Sequence, residues 1–274
     1  MTSFKQAALT KIFGHKYAID AQRLGDDAVL AWSNLGYWTH ANLDYSRACQ
    51  QLAEQLAQAV QLKAQDRVLD LGCGQGASLW YWLQQYHVQR LSAVDVQAAC
   101  IERIQQYLPQ VSSYCHSFAK LQQLAWADSF DVVMCIDAAY HSDLNELLSG
   151  ISSVLVSGGR CGLHYLMWSE RWQSCSEWQK QQYRYLLKAA DVNWRHLMDQ
   201  QQLEHCLQQQ GFQEIQIQDY SEPVLQGFAD YIAAQQTLPS YTLAQFKIAM
   251  TAKLCRKLYQ DGRLRYVQLS AVKT

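Results

Sequence analysis

Three glycines at alternate positions, preceded by an acid, are the residues of this sequence best suited to bind a ligand. They are Gly72, Gly74 and Gly76, and Asp70 stands two residues before the first. Glycine allows positive φ and lets a ligand approach without a Cβ in the way. A helical pattern restarts at Ala77, so unpaired N–H groups of a helix N-terminus should lie beside the turn. The pattern predicts a ligand-binding strand–turn–helix, although a βα turn without a ligand has the same pattern.

A second acid stands near the end of the next predicted strand. Residues 91–96 have a strand pattern, and Asp95 lies close to its end. Its separation from Asp70 is about that at which an acid binds a ribose diol in a βαβ unit. A carboxylate can accept a hydrogen bond from both hydroxyls, so the two segments together predict a nucleoside site.

With both features present, the sequence resembles the class I S-adenosylmethionine (SAM)-dependent methyltransferases. Residues 68–76 closely match the glycine motif of that family, and Asp95 matches its ribose-binding acid. The resemblance covers about residues 34–272. It implies an enzyme that uses SAM as its cofactor and releases S-adenosylhomocysteine.

The resemblance also implies the fold. We expect an α/β, Rossmann-like domain with a seven-stranded, mostly parallel sheet and helices on both faces. Residues 1–274 should form a single class I methyltransferase domain. Residues 1–62 would be an N-terminal helical segment, and residues 168–200 a helical lid insertion.

Two local patterns predict further details of the chain path. Residues 1–33 have mixed polarity and are expected to be helical. Residues 143–156 are expected to form a helix, and the pair Gly158-Gly159 should be its C-cap before a fifth strand at 161–167.

The resemblance assigns cofactor contacts to the ends of the predicted strands. The family usually has an acid beyond the third strand that meets the adenine amino group. His116-Ser117-Phe118-Ala119 stands there instead, so Ser117 and Phe118 are expected to make the adenine contacts. The expected cofactor-binding residues are Trp38, Asp70, Gly72, Cys73, Gly74, Asp95, Val96, Ser117, Phe118, Cys135 and Asp137.

The segment Asn34-Leu35-Gly36-Tyr37-Trp38 is similar to one that folds over the cofactor and part of the substrate site in small-molecule methyltransferases. Tyr37 or Trp38 is therefore expected to reach the methionine end of SAM, and Tyr37 is a catalytic candidate. Alternatively, both rings fill the core under the N-terminal helix.

His141 is the best candidate for a general base. It follows a near-continuous apolar run that ends at Asp137, and such a run is typical of a buried parallel strand. The carboxyl ends of parallel strands face the ligand crevice, and imidazole can take a proton near neutral pH. A structural histidine at the strand end is the alternative.

The predicted lid is rich in aromatic residues. Trp168, Trp172, Trp178 and Trp194 lie in it. They are suited to an apolar or aromatic substrate, and equally to a core within the lid itself.

The bulk composition narrows the class of partner. The net charge is −1, and no block of Lys or Arg indicates a nucleic-acid surface. Nine scattered cysteines without a C-x-x-C pair predict free thiols, no zinc site and a cytoplasmic protein. No apolar run is long enough to cross a membrane.

The sequence therefore predicts a methyltransferase for a small, apolar or aromatic molecule, and O-, N- and C-methylation all stay open. The alternatives are lipid modification like that of cyclopropane-fatty-acid synthases, and a non-catalytic SAM-binding module. The oligomeric state is left open.

Overall fold

The computed structural model describes residues 20–40, 42–235 and 242–274, and the backbone alone at residue 189. Seven strands form one sheet in the order β3-β2-β1-β4-β5-β7-β6. Strand β7 is antiparallel to both of its neighbours, whereas the other pairs are parallel. The expected α/β, mostly parallel seven-stranded fold is confirmed.

The strands are β1 Arg67–Leu71, β2 Arg90–Asp95, β3 Ser112–Cys115, β4 Phe130–Cys135, β5 Leu155–Trp168, β6 Phe212–Asp219 and β7 Leu264–Lys273. The α-helices are α1 Tyr45–Ala59, α2 Ala77–Gln85, α3 Ala98–Tyr107, α4 Leu144–Val154, α5 Glu177–Ala189, α6 Gln200–Gln209, α7 Gly227–Ala234 and α8 Leu243–Asp261. None of the helices within these described ranges has the length and apolar character needed to cross a membrane.

Helix α1 shows how the layers are built. Asp44 caps it by accepting a hydrogen bond from the Arg47 amide at 2.8 Å. Its apolar residues recur at helical spacing and are fully buried. The helix packs on β5 at Gly162, where a Cβ would lie 2.6 Å from a methyl carbon of Val60. A side chain there would push the helix off the sheet.

The prediction of helix through residues 1–33 is wrong for the part that the structure describes. Residues 1–19 lie outside the described residues, and Ala21–Leu24 is a single 3₁₀ turn. Gly25 ends that turn at φ +87°. The Asp26 carboxylate then accepts hydrogen bonds from the Ala28 and Trp32 amides, at 3.2 and 2.8 Å. A side chain that takes backbone donors in this way competes with helix formation.

The glycine pair after α4 is also not a helix C-cap, contrary to the prediction. Helix α4 ends at Val154, and Leu155 is already extended and pairs with Phe130. The next pair is Val132 with Arg160, so the intervening residues bulge out of β5. Gly158 provides the positive φ of +74° that this irregularity requires.

Candidate active site

The glycine turn connects the end of β1 directly to the start of α2. Gly72, Gly74 and Gly76 all have positive φ, at +70°, +53° and +93°. A Cβ on Gly72 would lie 2.8 Å from the Cβ of Ala138 and 3.4 Å from the ring of Phe118. Glycine is therefore required at this position, and the Phe118 ring lies beside the turn.

The Asp95 carboxylate is held against the same turn. One oxygen accepts a hydrogen bond from the Gly74 amide at 2.9 Å, and the other accepts one from the Gln97 amide at 2.8 Å. Only 5% of the residue is exposed. Each carboxylate oxygen keeps a free lone pair. The two predicted parts of the nucleoside site are thus brought together and oriented by the backbone.

The residues expected around adenine flank Asp95. Val96 is 53% exposed at the end of β2. Ser117 and Phe118 are half-buried at the start of a 3₁₀ turn, Phe118–Gln123. Val96 directly follows Asp95, and the Phe118 ring lies beside Gly72. Both side chains are apolar surfaces of the kind that suit a purine.

Asp70 lies under the turn and anchors α2. Its carboxylate accepts the indole N–H of Trp82 at 2.8 Å, and the residue is buried. Burial raises the pKa of Asp70 to about 6, opposed by hydrogen bonds from the side chains of Trp82 and Ser78. Cys73 and Cys135 are also buried nearby, and burial raises the pKa of both thiols, so they remain protonated.

Residues 25–40, which we call the strap, cross the mouth of the crevice. Ala31, Trp32, Ser33 and Asn34 enclose a cavity of about 30 Å³ together with Asp70, Gly72, Cys73, Ala77, Ser78 and Ile136. This cavity has room for one or two water molecules. Residues 31–34 of the strap therefore lie beside the glycine turn.

Asp137 follows β4 in the left-handed region, at φ +52°. One carboxylate oxygen accepts the Leu35 amide at 2.8 Å, and the other accepts the hydroxyls of Tyr140 and Tyr266 at 2.7 and 2.9 Å. Desolvation of the enclosed carboxylate raises its pKa to about 6, opposed by these three hydrogen bonds. Asp137 was predicted as a cofactor contact. In the structure its carboxylate instead accepts hydrogen bonds from three groups of the protein itself.

Tyr37 and Trp38 each pack on another aromatic ring. Trp38 is buried, its ring stacks on Tyr231 at 4.2 Å, and its indole N–H donates to the Leu35 carbonyl at 2.8 Å. Tyr37 makes an edge contact with Tyr220 at 4.9 Å between ring centroids. This packing on other aromatic side chains favours the alternative that both rings fill the core.

His141 ends the 3₁₀ turn Ala139–His141, immediately after Asp137 and at the carboxyl edge of β4. Its side chain is exposed, and Nδ1 lies 3.2 Å from the carbonyl oxygen of Asp191. The histidine therefore lies between the carboxyl edge of β4 and the segment 168–200. Among the described residues, no group of three or more His, Cys, Asp or Glu is placed to hold a metal ion.

This geometry agrees with the comparisons with known proteins. Residues 69–161 match the family model described as a methyltransferase domain. That range begins in β1 and includes the glycine turn, Asp95 and Asp137. This part of the chain is similar to a methyltransferase domain.

Other proteins resemble the chain in sequence or in fold. Erythromycin 3''-O-methyltransferase of Saccharopolyspora erythraea is 31% identical over 134 residues, which are 47% of this chain and 44% of that protein. The match thus spans less than half of that relative. Geranyl diphosphate C-methyltransferase of Streptomyces coelicolor A3(2) has a TM-score of 0.74, at 17% identity over 98% of each chain. A cyclopropane synthase of Mycobacterium tuberculosis has a TM-score of 0.74, at 15% identity over 96% of this chain and 97% of that one.

The aromatic residues at the end of β5 and in the segment that follows it mostly pack on one another. Trp168 stacks on Trp172 at 3.7 Å, and Trp172 makes an edge contact with Tyr183. Arg184 lies over the ring of Trp194 at 4.3 Å. Three of the four predicted lid tryptophans thus make contacts within the segment. The fourth, Trp178, is 69% exposed. The interpretation of these rings as the segment's own core is the one that this packing favours.

Two residues at the candidate site were not among the predicted site residues. Tyr266 lies in β7 and Tyr140 in the turn before His141, and both donate to Asp137. A tyrosine that points toward the carboxyl edge of a parallel sheet has no local sequence signal.

The raised pKa of Asp70 predicts a pH dependence of stability. The usual value is 3.8, so the native state binds a proton more tightly than the unfolded chain. Stability from this group is present at low pH and is lost as pH rises through about 6. Between about pH 4 and about pH 7, wild type should lose up to about 3 kcal/mol of unfolding free energy relative to Asp70→Asn. Parallel pH profiles of the two proteins in urea unfolding would contradict this assignment.

Proposed function

We propose that this chain is a SAM-dependent methyltransferase that acts on a small, apolar or aromatic molecule, with methyl transfer to oxygen, nitrogen or carbon. The observation that carries the proposal is the Asp95 carboxylate, which two backbone amides hold beside the glycine turn. An acid fixed in that place is suited to accept both hydroxyls of a ribose.

The residues of the crevice fit an adenosyl cofactor. Asp95 would hold the ribose, Val96 and Phe118 would flank the adenine, and the turn Gly72–Gly74 would approach the methionine part without side chains. Bound SAM would supply a methyl group activated by its sulfonium. The protein's own contribution is to align an acceptor with that methyl and to exclude water, and alignment alone can supply much of the rate.

His141 is the residue that we assign to the acceptor proton. Its imidazole lies at the carboxyl edge of β4, beyond Asp137, and an acceptor there would lie between the crevice and segment 168–200. A neutral imidazole would take the proton of a hydroxyl, an ammonium or an activated C–H group as the new bond forms. Tyr37 is the weaker candidate because its ring packs on Tyr220.

The names of the relatives support a small-molecule acceptor. The similar proteins are named for methylation of erythromycin and of geranyl diphosphate. The net charge of −1 supports a reaction without a nucleic-acid partner. All nine cysteines are free thiols, which supports the cytoplasm as the compartment.

Trideuteromethyl SAM tests the reaction type directly. The protein would be incubated with this cofactor and a panel of phenols, macrolide alcohols, prenyl compounds and unsaturated lipids, and products would be weighed by mass spectrometry. A methylated product keeps three deuterium atoms, whereas a cyclopropane keeps two. A product with two would establish the synthase-like alternative, and tight SAM binding without any product would establish the binding module.

Asp95 variants test the cofactor site separately from turnover. Asp95→Ala should weaken SAM binding by about 1–3 kcal/mol, because hydrogen bonds to a charged group are lost. Asp95→Asn should also weaken binding, because its NH₂ group would face the Gly74 or the Gln97 amide that the carboxylate accepts in wild type. Calorimetry of SAM binding is the measurement.

Asp131→Asn is the matched control. Asp131 pairs with Arg67 at 3.0 Å at the opposite edge of the sheet, so its loss should leave SAM affinity unchanged. Equal affinities for wild type and Asp95→Ala would remove the ribose assignment.

A further inference from the structure

The strap makes contacts along the whole glycine turn. A Cβ on Gly74 would lie 3.1 Å from the hydroxyl of Ser33, and one on Gly76 would lie 3.4 Å from a methyl carbon of Leu30. Arg103 donates to the carbonyl of Val29 at 2.8 Å. A cofactor on this turn must therefore share its space with the strap, and the strap has to move for the cofactor to enter or leave.

The far end of the strap is anchored in the core. The Asn34 carbonyl accepts the Tyr45 hydroxyl at 2.9 Å, and the Tyr37 amide donates to the Ala48 carbonyl at 2.8 Å. The Trp38 amide donates to the Pro223 carbonyl at 2.9 Å. These bonds attach the strap to α1 and to the segment before α7, so they do not fix it to the strand edge where a cofactor would bind.

The bond from the Leu35 amide to Asp137 connects the strap to that strand edge. The same carboxylate also holds Tyr266 of β7 and Tyr140 of the turn that carries His141. Three separate elements thus meet on one carboxylate. Asparagine and aspartate are among the few residues that tolerate the left-handed backbone found here, and aspartate is the one that accepts from all three donors at once.

We infer that Asp137 is a positioning residue, which latches the strap over the bound cofactor and at the same time fixes the turn that carries His141. This inference rests on the proposed function, because the latched cofactor is SAM. Closure of the strap and placement of the base are then coupled through one side chain.

Asp137→Asn is the test variant. If its amide nitrogen faces the strap, two N–H groups oppose each other. If it faces the tyrosines, their hydroxyl protons lose their acceptor. In either orientation some of the wild-type bonds are lost or have to reverse, because a tyrosine hydroxyl that faces the NH₂ group can only accept from it, while the left-handed backbone remains acceptable.

Two rates would be measured: hydrogen exchange of the strap amides without ligand, and dissociation of SAM in stopped flow. Both should increase about tenfold or more in Asp137→Asn, the size expected for a lost hydrogen bond to a charged group. Tyr266→Phe, which removes one hydroxyl from the same carboxylate, should raise both rates by a smaller factor. If Asp137→Asn does not fold, the same two rates can still be measured in Tyr266→Phe.

Asp66→Asn is the control for general destabilisation. Asp66 is a buried acid that binds Arg160 at 2.7 Å away from the strap, so its loss should leave strap exchange at the wild-type rate. Unchanged strap exchange in Asp137→Asn would overturn the latch, and so would faster exchange with unchanged SAM dissociation. Failure of wild type to bind SAM would instead overturn the proposed function. The exchange measurement is made without ligand, so its result does not depend on SAM binding.

Discussion

Replacement of Gly72 by valine should abolish SAM binding. A Cβ at this position would lie 2.8 Å from the Cβ of Ala138 and would project beside the Phe118 ring, where the cofactor has to approach the backbone. Valine would also strain the turn, because φ is +70° and β-branched residues rarely adopt that conformation. Calorimetry with SAM measures the loss.

Gly158→Val separates these two effects. Gly158 has a nearly identical φ of +74°, but no atom lies within 4 Å of its ideal Cβ. This variant should share the backbone strain and keep SAM affinity close to that of wild type. SAM binding that survives in Gly72→Val would show that the turn serves the fold alone.

Loss of the His141 imidazole should lower turnover by about 10²–10⁴, the range for removal of a general base. SAM affinity should stay nearly unchanged in His141→Ala, because the side chain is exposed beyond the cofactor crevice. The rate of wild type should fall as pH drops into the range in which imidazole is protonated, since a protonated ring accepts no proton. The variant should lose that pH dependence.

His205→Ala is the control for this experiment. His205 is exposed on α6 and should leave both the rate and the pH profile unchanged. A His141→Ala protein with normal turnover and a normal pH profile would show that His141 is not the base. Combined loss of thermal stability and SAM binding would instead indicate a structural histidine.

The parts of the site that the sequence could predict depend on neighbouring residues. Gly72, Gly74 and Gly76 form a turn with positive φ at all three positions. The residue types alone predict this, because glycine adopts positive φ readily. Asp95 follows one βα unit later, and a parallel βαβ unit has a narrow range of lengths. The sequence was therefore sufficient to place the acid beside the turn, which the structure shows at 2.9 Å.

Asp137 shows why other parts could not be predicted. Its donors Leu35 and Tyr266 are 102 and 129 residues away in the sequence. Only the assembled sheet brings them to one carboxylate. An acid at a strand end is equally compatible with a ligand contact and with an internal latch, and no pattern in the sequence separates the two.

Competing local interactions explain the errors in chain path. Asp26 takes two backbone amides that a helix would need, so the residues that follow run as an irregular strap. The Gly158-Gly159 pair has the composition of a helix C-cap, but the pairing of Leu155 with Phe130 takes the chain into β5 first. In both places the conformation depends on a specific contact, and the periodic pattern of apolar residues in the sequence carries no information about such contacts.

A crystal structure with S-adenosylhomocysteine tests the central claim most directly. The account predicts that both ribose hydroxyls lie at hydrogen-bonding distance from the Asp95 carboxylate, about 2.5–3.0 Å. It also predicts the adenine between Val96 and Phe118 and the strap closed over the glycine turn. A ligand bound elsewhere, or a crevice that stays filled by the protein's own side chains at saturating ligand, would contradict it.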